Sequence, residues 1–312
     1  MISSFFGKTK PINYIVLSVF LFLLYSFFYF FYQNKAIQID SIPLELLTVG
    51  LLLLSIFIIN RIVRVEKVTD FSSYAMLFFV LLIVAFSDTI SDKNAIFCNF
   101  FLLLMVWRLF SVRSLRNVKH RLFDGAFLIG VASLFYDWAL LYLALIFLVI
   151  NVYDRKTVKN WLVPIVGLLT VFILLFTALK TTDNLAFFMA HYSFSIDLGN
   201  TVSFSEYATI KLLVYAILMI IIMVLVFLRL RQKGGGKLVQ LRILFLFFVL
   251  GVILSFFKSE GASPILTTFF PAAVFFTNYL ESIKKVRLRE LAFGILIIAP
   301  ILVFLIEITN NS

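Results

Sequence analysis

The sequence predicts an all-α polytopic transmembrane helical bundle of about eleven spans, amino terminus inside and carboxyl terminus outside. Three observations predict it. Hydrophobic residues fill 62% of 312 positions, and mean hydropathy is +1.08. A typical soluble domain is about 45–50% apolar, and a chain this size has too little interior to hide the excess. Continuous apolar runs such as Leu51–Asn60 and Leu213–Leu228 recur to the end of the chain, unlike a single leader segment or the alternating strands of an outer-membrane barrel. Finally, the basic residues fall on alternate loops.

Each span needs about 20 largely apolar residues, because hydrocarbon offers the backbone no hydrogen-bond partner. Spans are expected at 12–32, 44–60, 72–88, 95–111, 121–136, 138–153, 161–180, 208–229, 241–257, 263–281 and 290–308. The fifth and sixth are short and lie back to back around Tyr136, Asp137 and Trp138. A tilted or re-entrant hairpin there leaves the parity of later spans unchanged. Residues 1–312 read as a single integral membrane domain with no separate soluble domain.

With the amino terminus inside, the inner segments hold 22 of the 27 basic residues, including every arginine. The outer segments hold Lys35, Lys93, Lys180, Lys211 and Lys258. The inverted topology would violate the positive-inside rule. Carboxylates lean the other way, with 10 of 16 outside. The net charge of +11 is therefore a topology signal and not a nucleic-acid footprint. Basic loops also attract anionic headgroups, at about 1 kcal/mol per residue near the surface.

The single cysteine, Cys98, excludes a disulfide framework within the chain and weighs strongly against a Cys-based zinc site. Gly234–Gly235–Gly236 reads as a turn, since a phosphate loop needs a preceding strand and a GK[ST] ending. No cofactor and no metal site are expected. The span middles are nearly free of ionisable groups, which weighs against ion-coupled transport. Asn151 and Asn278 fall near inner ends.

The candidate residues gather at the two faces. Outside, Asp40 lies in the first loop and Asp137 at the tip of the short hairpin; His191, Tyr192, Asp197 and Glu206 lie in the longest loop. A surface carboxylate can act as a general base toward a sugar hydroxyl or hold a divalent metal, or simply be solvated. Inside, Arg113, Arg116, Lys119 and Arg121 follow Arg108 in the densest basic run, a candidate dock for lipid phosphate or an acidic partner. His120 and Asp124 share a helix face four residues apart. The absence of outer arginine weighs against a polyprenyl-pyrophosphate enzyme, because the guanidinium fork matches phosphate.

The opening Ser4-Phe5-Phe6-Gly7-Lys8-Thr9-Lys10-Pro11-Ile12-Asn13 resembles the start of an uncharacterised multi-pass inner-membrane family of the Bacteroidota, whose members often carry a carotene-monooxygenase label. Phe123–Tyr136, with Gly125 and Gly130, and Asp154–Pro164, with Trp161, look like the same family. The resemblance implies membership through most of the chain and location in the cell inner membrane, without an activity. The label would need an iron site built from several histidines, and His120 and His191 are the only two, expected on opposite faces. The short-hairpin layout also looks loosely like GT-C glycosyltransferases, which use polyprenyl-phosphate sugars and keep a catalytic carboxylate in the first outer loop. Asp40 occupies that position, but its loop is shorter than theirs.

Three functions follow as expectations. The first is a non-catalytic integral subunit or scaffold of a cell-envelope complex for secretion, assembly or motility, with membrane lipids and other membrane subunits as partners and no nucleic acid. The second is a GT-C-like handler of lipid-linked sugars using Asp40 and Asp137. The third is a transporter or flippase of a lipidic or neutral substrate.

Overall fold

In a computed structural model, the described residues are 5–32, 39–70, 72–192, 194, 206–231, 236–256 and 264–311. Among them are twelve α-helices and no strand. They are α1 Pro11–Phe27, α2 Ile42–Val65, α3 Tyr74–Ala85, α4 Lys93–Ser111, α5 Val118–Ser133, α6 Leu143–Tyr153, α7 Val158–Thr181, α8 Leu185–His191, α9 Glu206–Arg231, α10 Gly236–Phe256, α11 Phe269–Ser282 and α12 Val286–Asn311. Seven of these (α1, α2, α4, α7, α9, α10 and α12) are long and apolar enough to cross a membrane. The protein is thus a helical bundle of multi-pass membrane character. Lys35, Asp197, Lys258 and the Gly234–Gly235 pair lie outside the described residues, as does the side chain of Glu206.

The chain forms two compact units. The first comprises Met1–Ile96, Ser203–Arg242 and Phe269–Ser312. Its centre is α3, whose twelve residues are all buried. A helix that is apolar on every side has no solvent or lipid face to offer, so it belongs in the interior. Helix α11 is nearly as enclosed, and Phe78 meets Phe276 and Phe293 at ring distances of 5.6 and 6.1 Å. Helices α1, α2, α9 and α12 surround this centre and leave long apolar faces exposed, as lipid contact requires.

The second unit comprises Phe97–Val202 and Ile243–Thr268. Its tightest packing joins α5 to α7. A Cβ added at Gly167 would lie 2.9 Å from Ala126 Cβ and 2.9 Å from the Phe123 carbonyl oxygen. One added at Gly130 would lie 2.9 Å from Val171 Cβ. Ala126 and Gly130 sit one turn apart, the small-xxx-small spacing that lets membrane helices approach closely. The expected fifth and sixth spans correspond to α5 and to a 3-10 turn, Asp137–Tyr142, running into the short α6. Tyr142 is wholly buried there, donating to Thr267 Oγ1 at 3.0 Å.

Candidate functional site

In the second unit, α5 ends at Ser133, whose hydroxyl donates back to the Gly130 carbonyl at 2.7 Å. The chain then turns through an extended Tyr136 into the 3-10 segment that opens on Asp137. Helix α8 lies against this turn. His191 Nε2 is 2.7 Å from the Ser133 carbonyl oxygen, so it carries the proton and donates. Tyr192 Oη is 3.0 Å from Ser133 Oγ, and the Phe194 ring meets Trp138 edge-on at 5.4 Å.

Asp137 is enclosed by this arrangement, at 4% exposure. Its Oδ1 accepts the Trp138 N–H at 2.8 Å. Burial pushes its carboxyl above the usual carboxylate range, opposed by the Trp138 N–H and the nearby His191 imidazole. A carboxyl with this bias beside a histidine can act as a general acid or base where a substrate reaches it. The sequence placed Asp137 at a hairpin tip, where solvation is the simplest reading. Its burial follows from α8 folding back over the tip.

Asp40 sits exposed in the 3-10 turn Ile39–Ser41 that leads into α2, within the first unit. Asp40 and Asp137 therefore belong to different units. Of the basic run that follows Arg108, Arg113, Arg116 and Lys119 are exposed. Arg121 instead clasps the turn between α4 and α5, donating to the Ser111 carbonyl and, at 2.6 Å, to Ser114 Oγ. Asp124 meets Arg108 at 3.2 Å, and His120 is exposed.

The first unit holds polar groups that the sequence did not single out. At one end of α12, Glu307 accepts from Lys211 Nζ at 2.9 Å and from Ser87 Oγ at 3.0 Å. Lys211 and Glu307 side chains are only 8% and 6% exposed, while Asp88, 3.9 Å from Lys211, is largely open. Beside them lies an apolar cavity of about 130 Å³ between α3, α9, α11 and α12; Phe78, Leu82, Tyr215 and Pro300 line it, and Lys211 is its charged rim. Glu45 forms a second tie, accepting from Tyr25 Oη and pairing with Lys93. At the other end of the unit, Glu281 accepts the Asp70 N–H at 2.9 Å and the Ser72 hydroxyl at 2.8 Å. Asn278, beside it, donates to the Val274 and Val68 carbonyls.

These pairs were hidden because each joins segments far apart in the chain, and only facing helix ends could have suggested them. Among the described residues, no group of three or more His, Cys, Asp or Glu side chains is placed to hold a metal ion. Comparison with known proteins finds no matching family model, no similar curated protein and no similar solved structure.

Proposed function

We propose that the protein is a non-catalytic structural subunit of a multi-protein complex in the inner membrane. One observation carries this reading. Three of the four enclosed carboxylates, all but Asp137, hold helices to one another: Glu45 joins α1, α2 and α4; Glu281 joins α11 to the segment before α3; Glu307 joins α12 to α9 and the turn after α3. A catalytic carboxylate must instead face a space that a substrate can enter. The exposed apolar faces of α7, α9 and α12 then contact lipid and neighbouring subunits.

We further infer eleven spans with the amino terminus inside. The polar ties support this alternation, because each joins residues expected on one side. Tyr25 with Glu45 and Lys211 with Glu307 fall outside; Asn13 with Ser73 and Glu281 with Ser72 fall inside. The positive-inside rule supplies the absolute orientation. The four short segments, α3, α5, α6 with its 3-10 turn, and α11 with Pro264–Thr268, complete the count.

A second reading, the handling of a lipidic substrate, is favoured by the ion-paired rim of the apolar cavity in the first unit. The scaffold reading and GT-C-like chemistry at Asp40 and Asp137 diverge in a complementation experiment. Asp40→Asn and Asp137→Asn, together, are expected to preserve the chain's contribution in a host that requires it. Loss of that contribution, with the variant still present at wild-type level in the membrane, would favour GT-C-like chemistry instead.

A further inference from the structure

At the inner ends of α1 and α2 the first unit has a cavity of about 570 Å³, lined by Tyr14, Phe57, Asn60, Arg61, Arg64 and Val65. Among the described residues, two of the six that line it are arginines and none is a carboxylate. Arg61 and Arg64 are three residues apart on α2, so their guanidinium groups share one helix face. The polar floor is preorganised. Asn60 is buried, and its amide donates to Tyr14 Oη. That bond occupies a lone pair of the phenol and leaves its O–H proton to donate elsewhere. The Tyr14 ring is held in place by stacking on Phe57 at 5.2 Å.

The face continues away from the arginines as apolar surface. Phe57 is 46% exposed and Leu54, one turn further along, 49%. A Cβ on Gly50, one turn beyond, would meet nothing within 4 Å. Val65, beside Arg64, is 58% exposed. Two basic turns therefore follow two open apolar turns along one stripe. That order matches a glycerophospholipid lying against a helix, with acyl chains along the apolar turns and phosphate at the basic ones.

We propose that this cavity is a binding site for an anionic glycerophospholipid. Arg61 and Arg64 grip the phosphate oxygens through their planar forks, the Tyr14 hydroxyl donates a third hydrogen bond, and the acyl chains run over Phe57 and Leu54. Guanidinium–phosphate pairs are charge-assisted and geometrically specific, unlike the diffuse attraction of a basic loop. The chemistry is independent of the scaffold reading; placement in the inner leaflet rests on the orientation proposed above.

Native mass spectrometry of the full-length protein, exchanged into detergent with defined phosphatidylglycerol, phosphatidylcholine or inorganic phosphate, tests the site. The wild-type chain is expected to retain one phosphatidylglycerol at least tenfold more often than phosphatidylcholine, and millimolar inorganic phosphate does not displace it. Arg61→Gln with Arg64→Gln should lower retention at least tenfold, and Arg61→Lys with Arg64→Lys should lower it severalfold although charge is kept. Tyr14→Phe should also lower it, with the fold intact. The control Lys284→Gln with Arg287→Gln makes the same charge change at exposed positions and should leave retention unchanged. Equal loss in the control would overturn the proposal in favour of diffuse attraction. Retention without headgroup preference, or displacement by inorganic phosphate, would overturn it as well. A thermal melt of each variant separates loss of the site from loss of the fold.

Discussion

At the scale of single residues, the enclosed ionisable groups set what substitution does. Lys211 and Glu307 are both nearly buried and 2.9 Å apart. Lys211→Met alone strands the enclosed Glu307 carboxylate and should cost about 3–5 kcal/mol, whereas Glu307→Leu leaves Lys211 its contact with Asp88 and should cost less. The double variant should recover most of that loss, and a double-mutant cycle by thermal unfolding in detergent measures the coupling. Asp137 has a different signature. Its carboxyl is pushed up by burial, so the folded state holds the proton more tightly than the unfolded chain. Stability is then greatest below the unfolded carboxylate range, about pH 4, and falls as pH rises through the folded value. Asp137→Asn keeps an acceptor for the Trp138 N–H and should flatten this slope. Asp137→Ala leaves that donor unmet and should cost about 1–3 kcal/mol at any pH. A pH dependence of melting temperature in Asp137→Asn identical to that of the wild type would contradict the assignment.

At the scale of elements, close helix approach is the sensitive feature. A side chain at Gly167 would strike the backbone carbonyl of Phe123, which cannot swing aside. Gly167→Ala should therefore destabilise by about 1–3 kcal/mol, as overpacking does. At Gly125 the nearest atom is the end of Leu109, 3.4 Å away, so Gly125→Ala should stay within about 0.5 kcal/mol. Melting curves of the two variants side by side check the contrast. Much of this architecture was legible in advance, since apolar runs of sufficient length become helices wherever water is absent. Helices α2, α4, α7, α9 and α12 fall close to their expected spans. The short elements were harder: α3 ends at Ala85 and gives way to a 3-10 turn, because a helix buried on all sides can be closed by side-chain and turn contacts short of a full crossing. The polar ties were not legible, because Lys211 with Glu307 and Ser72 with Glu281 are separated by 96 and 209 positions. Arg61 and Arg64 read as ordinary inner-loop charges until α1 supplied Tyr14 beside them.

At the scale of the whole molecule, the protein is a membrane bundle with polar ties between its helices. Its orientation is open to direct test, because the lone native cysteine, Cys98, is buried. In a Cys98→Ala chain, a cysteine at Asp183 should react with an impermeant maleimide in intact cells, and one at Arg116 only after permeabilisation. The reverse pattern would invert the topology. The central claim, that the chain is a structural subunit, is tested most directly by the mass of the assembly it forms. Extracted in mild detergent and examined by native mass spectrometry, the protein should travel with other membrane chains at fixed stoichiometry, and the Asp40→Asn, Asp137→Asn double variant should do the same. A single chain, free of protein partners and active by itself on a lipid-linked substrate, would contradict it.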